Sequence, residues 1–176
     1  MSTYKVRAAC VLYVGIDPGL GGAVAAINEQ GEVITLQDTP TLMVKKSGKG
    51  HKRTYVESAM ASILENCKGN VIGSGQILVT VENQHARPGM SAVSTFNTGV
   101  GYGLWRMACA ALRIPYQFVE PGKWKKQRGL ASGSDKNASI VLASRLFPSA
   151  SLARKKDDGR AEALLIAEWA HRQRVK

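Results

Sequence analysis

The spacing of apolar positions changes several times along this chain, and each change marks an element. Residues 11–16, VLYVGI, form an unbroken apolar run stopped by Asp17-Pro18-Gly19, as expected of a central strand covered on both faces. Residues 22–27 and 33–37 read as two further strands joined through Asn28-Glu29-Gln30-Gly31, with Gly31 free to take the positive φ of a hairpin turn. The chain thus opens with an antiparallel meander. Residues 41–53, rich in Lys, Gly and His and without periodicity, predict a loop. Val56, Met60, Ile63 and Leu64 then mark a helix ending near Gly69, and residues 76–81 predict a strand.

After Glu82 the segment NQHARPGMSAVS contains Pro88 and Gly89 and reads as a loop. Residues 96–112 have the length and apolar content of a helix. Gly99, Gly101 and Gly103 lie inside it, each costing about 0.5–1 kcal/mol relative to Ala, which implies close packing against a neighbour. A short strand over 114–119 is closed by Glu120-Pro121-Gly122, and 123–134 reads as an exposed basic loop. Helices are predicted over 135–147, stopping before Pro148, and over 158–172. No repeat or low-complexity segment interrupts this order.

A length of 176 residues with 44% apolar composition predicts one α/β domain with a single sizeable core, residues 1–10 forming a possible N-terminal arm. Charge adds a partner. Lys and Arg number 24 against 13 acids, a formal net charge of +11, which favours a polyanion. Two clusters stand out: Lys45, Lys46, Lys49, Lys52 and Arg53, and then Lys123, Lys125, Lys126, Arg128 and Lys136. Cys10, Cys67 and Cys109 are odd in number and far apart, so they predict buried reduced thiols rather than a disulfide framework or a zinc site. With no membrane-length apolar run and no signal-peptide pattern, a soluble cytoplasmic protein is expected.

Four acids sit where elements begin or end: Asp17 and Glu82 after apolar strands, and Asp158 and Glu162 in the first turns of the last helix. If the first two strands are adjacent and parallel, their ends lie about 4.8 Å apart, within joint reach of a hard cation such as Mg²⁺. Asp158 and Glu162 are four residues apart and share a helix face with Leu165 and Trp169, which should pack inward. Simpler readings compete: Asp17 also suits the start of an Asp-Pro-Gly turn, and Asp157 or Asp158 an N-cap. Neighbouring helical residues point about 100° apart, so Asp157 and Asp158 should not both face the same ions.

The blocks GIDPGLGGAVAAI, VTVENQHARPGMSAVSTFNTGVGYGLW, VEPGKWKKQRGL, SDKNAS and DDGRAEALLIAEWA resemble, in order, those of RuvC-type Holliday junction resolvases, particularly shorter bacteriophage-type members. The likeness runs from about Tyr13 to Trp169. It implies a ribonuclease H-like fold, a mixed five-stranded sheet flanked by helices. It also implies a homodimeric endonuclease that nicks four-way DNA junctions in pairs using two Mg²⁺ ions, with Mn²⁺ as a substitute. In that scheme Asp17 bridges both ions, Glu82 holds one with Asp158, and Glu162 completes the site or orients water; the family often has Asp or His at this last position. Lys125 and Lys136 match positions that bind DNA near the scissile phosphate, with Lys123, Lys126 and Arg128 as further contacts. Gln84, His85 and Arg87 fall in the loop that meets the strand exchange point.

The helix with Phe96, Tyr102, Trp105 and Met107 is the expected dimer face. The alternatives are a nuclease of the same fold with broader taste for forks, flaps or RNA-containing duplexes, a DNA-binding module without catalysis, and an actin-like or sugar-kinase-like ATP-binding domain. The last also begins with an acidic, Gly-rich hairpin but needs a second domain; the presence of all four acids speaks against a module without catalysis.

Overall fold

A computed structural model of the chain describes residues 9–86, 88–130, 136–154 and 156–174. Strands β1 (Ala9–Asp17), β2 (Ala23–Ile27) and β3 (Val33–Asp38) form the expected meander. A two-stranded hairpin follows, β4 (Thr41–Lys45) with β5 (His51–Tyr55), and then α1 (Glu57–Gly69) and β6 (Val71–Glu82). The chain continues through α2 (Ala92–Ala111), β7 (Tyr116–Val119), α3 (Pro121–Gln127), α4 (Lys136–Leu146) and α5 (Asp158–Arg174). The main sheet has the order β3-β2-β1-β6-β7, antiparallel within the meander and parallel from β1 through β6 to β7. This is the mixed five-stranded α/β arrangement implied by the sequence.

Central strand β1 explains the two cores. Leu12, Val14 and Ile16 point to one face, where they join Met60, Leu64, Trp105 and Cys109 from α1 and α2. Tyr13 points to the other, among Leu164, Leu165, Trp169 and Trp124 from α5 and α3. Alternation by two therefore puts apolar residues on both faces, which is why the apolar run is continuous. Glycine at position 15 lets α5 lie directly on β1: a Cβ there would come within 2.2 Å of the Ala163 carbonyl oxygen and 2.4 Å of the Ala167 nitrogen. Gly159 does the same at the start of α5, where a Cβ would meet Gly21 O at 2.4 Å.

Several expectations need correction. Residues 41–53 are not a loop; they begin a hairpin whose register pairs Met43 with Arg53 and Lys45 with His51. Its strands are largely solvent-exposed, so no hydrophobic alternation marks them. The basic loop predicted from 123 is helical at its start, because Pro121 opens α3 and Trp124 is fully buried one turn later. Helix α2 begins four residues early, capped by Ser91, whose Oγ accepts the Ser94 N–H at 3.1 Å. Strand β6 begins five residues before position 76. Cys67 and Cys109 are buried free thiols as expected, whereas Cys10 is exposed. No helix among the described residues is long and apolar enough to cross a membrane.

Candidate active site

Parallel pairing of β1 with β6 sets Ile16 beside Val81, so the next residues, Asp17 and Glu82, end their strands side by side. The Asp-Pro-Gly turn reading of Asp17 holds as well: its Oδ1 accepts the Gly19 N–H at 3.2 Å. Gly22 folds back under the same turn, where a Cβ would sit 2.1 Å from the Asp17 carbonyl oxygen. One residue thus serves both a turn and a site. Helix α5, laid on β1 by Gly15 and Gly159, brings Asp158 and Glu162 to the same end of the sheet, while Leu165 and Trp169 are buried below them. Asp158 shares with Asp17 a cleft of about 550 Å³.

The electrostatics of this cluster are strained. The Asp17 carboxyl is pushed up to about 7, first by burial, then by Glu82, Glu162 and Asp158, with the Gly19 N–H pulling the other way. Glu82 is raised too, mainly by burial and by Glu162. Its two carboxylate oxygens are held separately: the buried Trp124 indole N–H donates to Oε1 at 2.9 Å and Gln84 donates to Oε2 at 2.8 Å. Glu162 accepts from Lys125 Nζ at 2.7 Å and from Ser139 Oγ at 3.4 Å. No group of three or more His, Cys, Asp or Glu side chains among the described residues is set to enclose a metal ion. The donor chemistry nonetheless fits a hard divalent cation: the oxygens are carboxylate, and their mutual repulsion is what a cation relieves.

Asp157 and Asp158 diverge, as the 100° step requires. Asp157 is fully buried and held by Arg154, through the backbone N–H at 2.7 Å and Nε at 2.7 Å. Arg154 and Arg160 also bind Asp38, closing the rim of the cleft.

The candidate DNA contacts fare unequally. Lys125 lies at the acids. Lys123 stacks over the Trp169 ring at 5.6 Å, and Lys126 is exposed. Arg128 is not a surface grip: its side chain is 8% exposed and pairs at 2.8 Å with Glu168, itself 9% exposed. Burying such a cation is tolerable only because its partner is buried with it. Gln84 is bound to Glu82, and His85 reaches Glu120 at 3.1 Å while staying exposed. Lys136 is the first residue of α4, and Arg87 lies outside the described residues. The expected dimer face also shifts. Trp105 is fully buried in its own core, and Tyr102 donates to Asn83 Oδ1 at 2.7 Å, leaving Phe96 and Met107 outward with Gly99 and Gly103. Sequence reasoning missed Trp124 and Ser139; Trp124 had a signal, a tryptophan one turn after a Glu-Pro helix start.

No family model matches the chain. A curated relative, the chloroplastic Holliday junction resolvase MOC1 of Chlamydomonas reinhardtii, is 34% identical over 85 residues. Those residues are 47% of this chain and 10% of the relative, so the chain matches about a tenth of that protein's length. Among solved structures, T. thermophilus RuvC in complex with a Holliday junction substrate aligns with a TM-score of 0.59 at 15% identity, covering 94% of this chain and 96% of that one. The yeast mitochondrial Holliday junction resolvase Ydc2 aligns at 0.51 and 17% identity, covering 98% and 82%. The fold is therefore that of RuvC, a ribonuclease H-like α/β sheet.

Proposed function

We propose that this protein is a divalent-metal-dependent endonuclease that resolves four-way DNA junctions by paired nicks. The observation that carries the reading is the meeting of Asp17, Glu82, Asp158 and Glu162 at one end of a RuvC-like sheet in a chain of net charge +11. Asp17, Glu82 and Asp158 would hold the metal, with Glu162 completing the set. Mg²⁺ is the expected ion and Mn²⁺ a substitute; bound there, two such ions would activate the attacking water and stabilise the leaving 3′ oxygen.

The chain's own residues prepare this chemistry. Trp124 and Gln84 fix the Glu82 carboxylate in one orientation, so little reorganisation remains when a cation arrives. Asp17 holds its proton up to about pH 7 without metal, so loading requires that proton to leave. Lys125, beside Glu162, is placed to turn toward a phosphate and offset charge building on it. Lys136 and the loop after Glu82, with Gln84, His85 and Arg87, stand as further DNA contacts.

Two nicks on opposite strands need two such sites, and the outward face of α2 would serve as the surface for a second copy. Gly99 and Gly103 face open space, with nothing within 4 Å of an added Cβ, and Met107 beside them is 65% exposed. Small residues four apart let another helix approach closely. The deciding experiment is cleavage of a synthetic four-way junction with Mg²⁺, set against a linear duplex. Paired symmetric nicks are expected, with Asp17→Asn abolishing cutting while binding persists. A wild-type protein that binds the junction yet makes no paired nicks with Mg²⁺ or Mn²⁺ overturns the assignment.

A further inference from the structure

The β4–β5 hairpin lies outside the main sheet, and neither the cores nor the acid cluster needs its cations. Its base is fixed. The Tyr55 hydroxyl donates to Asn97 O at 3.1 Å and to Pro18 O at 3.4 Å, in a space kept open by Gly101, where a Cβ would sit 2.2 Å from that hydroxyl. Arg53 reaches the Leu20 carbonyl and, through Nε, Thr41 Oγ1 at 3.0 Å. The hairpin is thereby joined to the turn that bears Asp17 on one side and to α2 on the other.

Beyond that base every charged residue of the hairpin is a cation. Residues 41–55 contain Lys45, Lys46, Lys49, Lys52 and Arg53 and no acid, and the four lysines form no ion pair among the described residues. Register puts Lys45, His51 and Arg53 on one face, and these border a groove of about 1010 Å³ whose opposite wall is the start of α2. Val93 and Phe96, 71% and 70% exposed, give that wall an apolar surface. Arg53 also borders the cleft that holds Asp17 and Asp158, so groove and cleft meet at this side chain.

Four acids at the cut repel a polyanion, and of the cations in α3 and at its C-cap Lys125 and Arg128 are already paired and Lys123 lies over Trp169, which leaves Lys126. Affinity for a polyanion is best supplied by cations without acidic partners, and the hairpin presents four lysines of that kind. We propose that the groove between the β4–β5 hairpin and the start of α2 is a second DNA site, which holds the sugar-phosphate backbone of the duplex arm next to the cut. Lys45, on the face with His51 and Arg53, and Lys46 and Lys52, which border the groove from the other face of the ribbon, take neighbouring phosphates, and Phe96 packs against sugar or base edges. This rests on the nuclease reading above for the nature of the polymer, but not on the chemistry of cutting.

The test uses the full chain in an Asp17→Asn background, so that no cleavage disturbs binding, with and without Lys45→Ala, Lys46→Ala and Lys52→Ala together. Fluorescence anisotropy across a salt series is read on four-way junctions with full-length and with clipped arms. With full-length arms the triple variant should bind about tenfold or more weakly at physiological salt, and its log–log salt slope should become shallower by about 2 to 3. With clipped arms the two proteins should bind alike. The pair Lys45→Glu and Lys52→Glu should lose more, which separates charge from local packing. Unchanged affinity and slope on full-length arms overturns the second site, whatever the enzyme cuts. If the wild type cuts no junction but its duplex binding still requires the three lysines, the nuclease reading falls and this one stands.

Discussion

Two basic segments of similar composition behave in opposite ways. In α3 and the turn after it, Lys125 is paired with Glu162, Lys123 lies over Trp169 and Arg128 is buried against Glu168. In the β4–β5 hairpin the lysines project from a two-stranded ribbon with no acid in its own sequence. The difference is set by what the fold brings alongside. Helix α5 presents Glu162 to α3 and Glu168 to Arg128 just after it, whereas among the described residues no acid pairs with the hairpin's lysines. A run of cations in sequence therefore says little about where phosphates bind until the partners of each cation are known.

The acids that α3 serves respond most to pH. Asp17 sits at about 7 in the folded protein against an ordinary 3.8, so between those values the folded state binds more protons than the unfolded chain. Its contribution to stability is then fully present below about pH 4 and is lost as pH rises to about 7, and Glu82 acts in the same direction. The loss is up to about 4 kcal/mol, less whatever screening Asp17 gains from its partial exposure. Urea unfolding of the metal-free protein should show a lower midpoint at pH 8 than at pH 5, with Mg²⁺ raising it more at pH 8. A midpoint independent of pH and of Mg²⁺ would remove the strained carboxylate cluster from the description.

Next in size is the buried pair. Arg128→Ala strands Glu168 with only the exposed Arg172 as partner and should cost about 3 kcal/mol in chemical unfolding. Replacing both, as Arg128→Met with Glu168→Leu, should restore most of that loss. If Arg128→Ala instead leaves stability intact and weakens DNA binding, the contrast between the two segments disappears. Lys125→Met tests the cation nearest the acids: single-turnover cutting should slow about 100-fold while junction affinity moves little. Equal losses in affinity and rate would make Lys125 an ordinary phosphate contact. The smallest change is expected on the other side, where the triple hairpin variant should keep its stability within about 0.5 kcal/mol, because exposed lysines without partners support nothing in the fold.

Much of the fold is legible in the sequence, for identifiable reasons. VLYVGI stopped by Asp-Pro-Gly and QILVTV stopped by Glu82 are strands whose burial writes itself into the sequence as an apolar run. Spacing by three and four is enough to put Asp158, Glu162, Leu165 and Trp169 on one face of α5. The hairpin is illegible because both its faces meet water, so no period of two is imposed on it. Helix α3 is illegible because it is seven residues long and buries only one of them, Trp124.

By itself, then, the sequence determined the strand ends that place Asp17 and Glu82, the helix face that bears Asp158 and Glu162, and the excess of positive charge. These depend on local period and composition, which a chain displays without folding. Only the tertiary structure decided which cations are paired and which are free, that Trp124 holds Glu82, that Arg128 is interior, and that Arg53 borders both the hairpin groove and the acid cleft. Those are relations between residues 37 to 42 positions apart, or between elements that touch only because glycines at 15, 101 and 159 let them approach, and no local pattern encodes such distances.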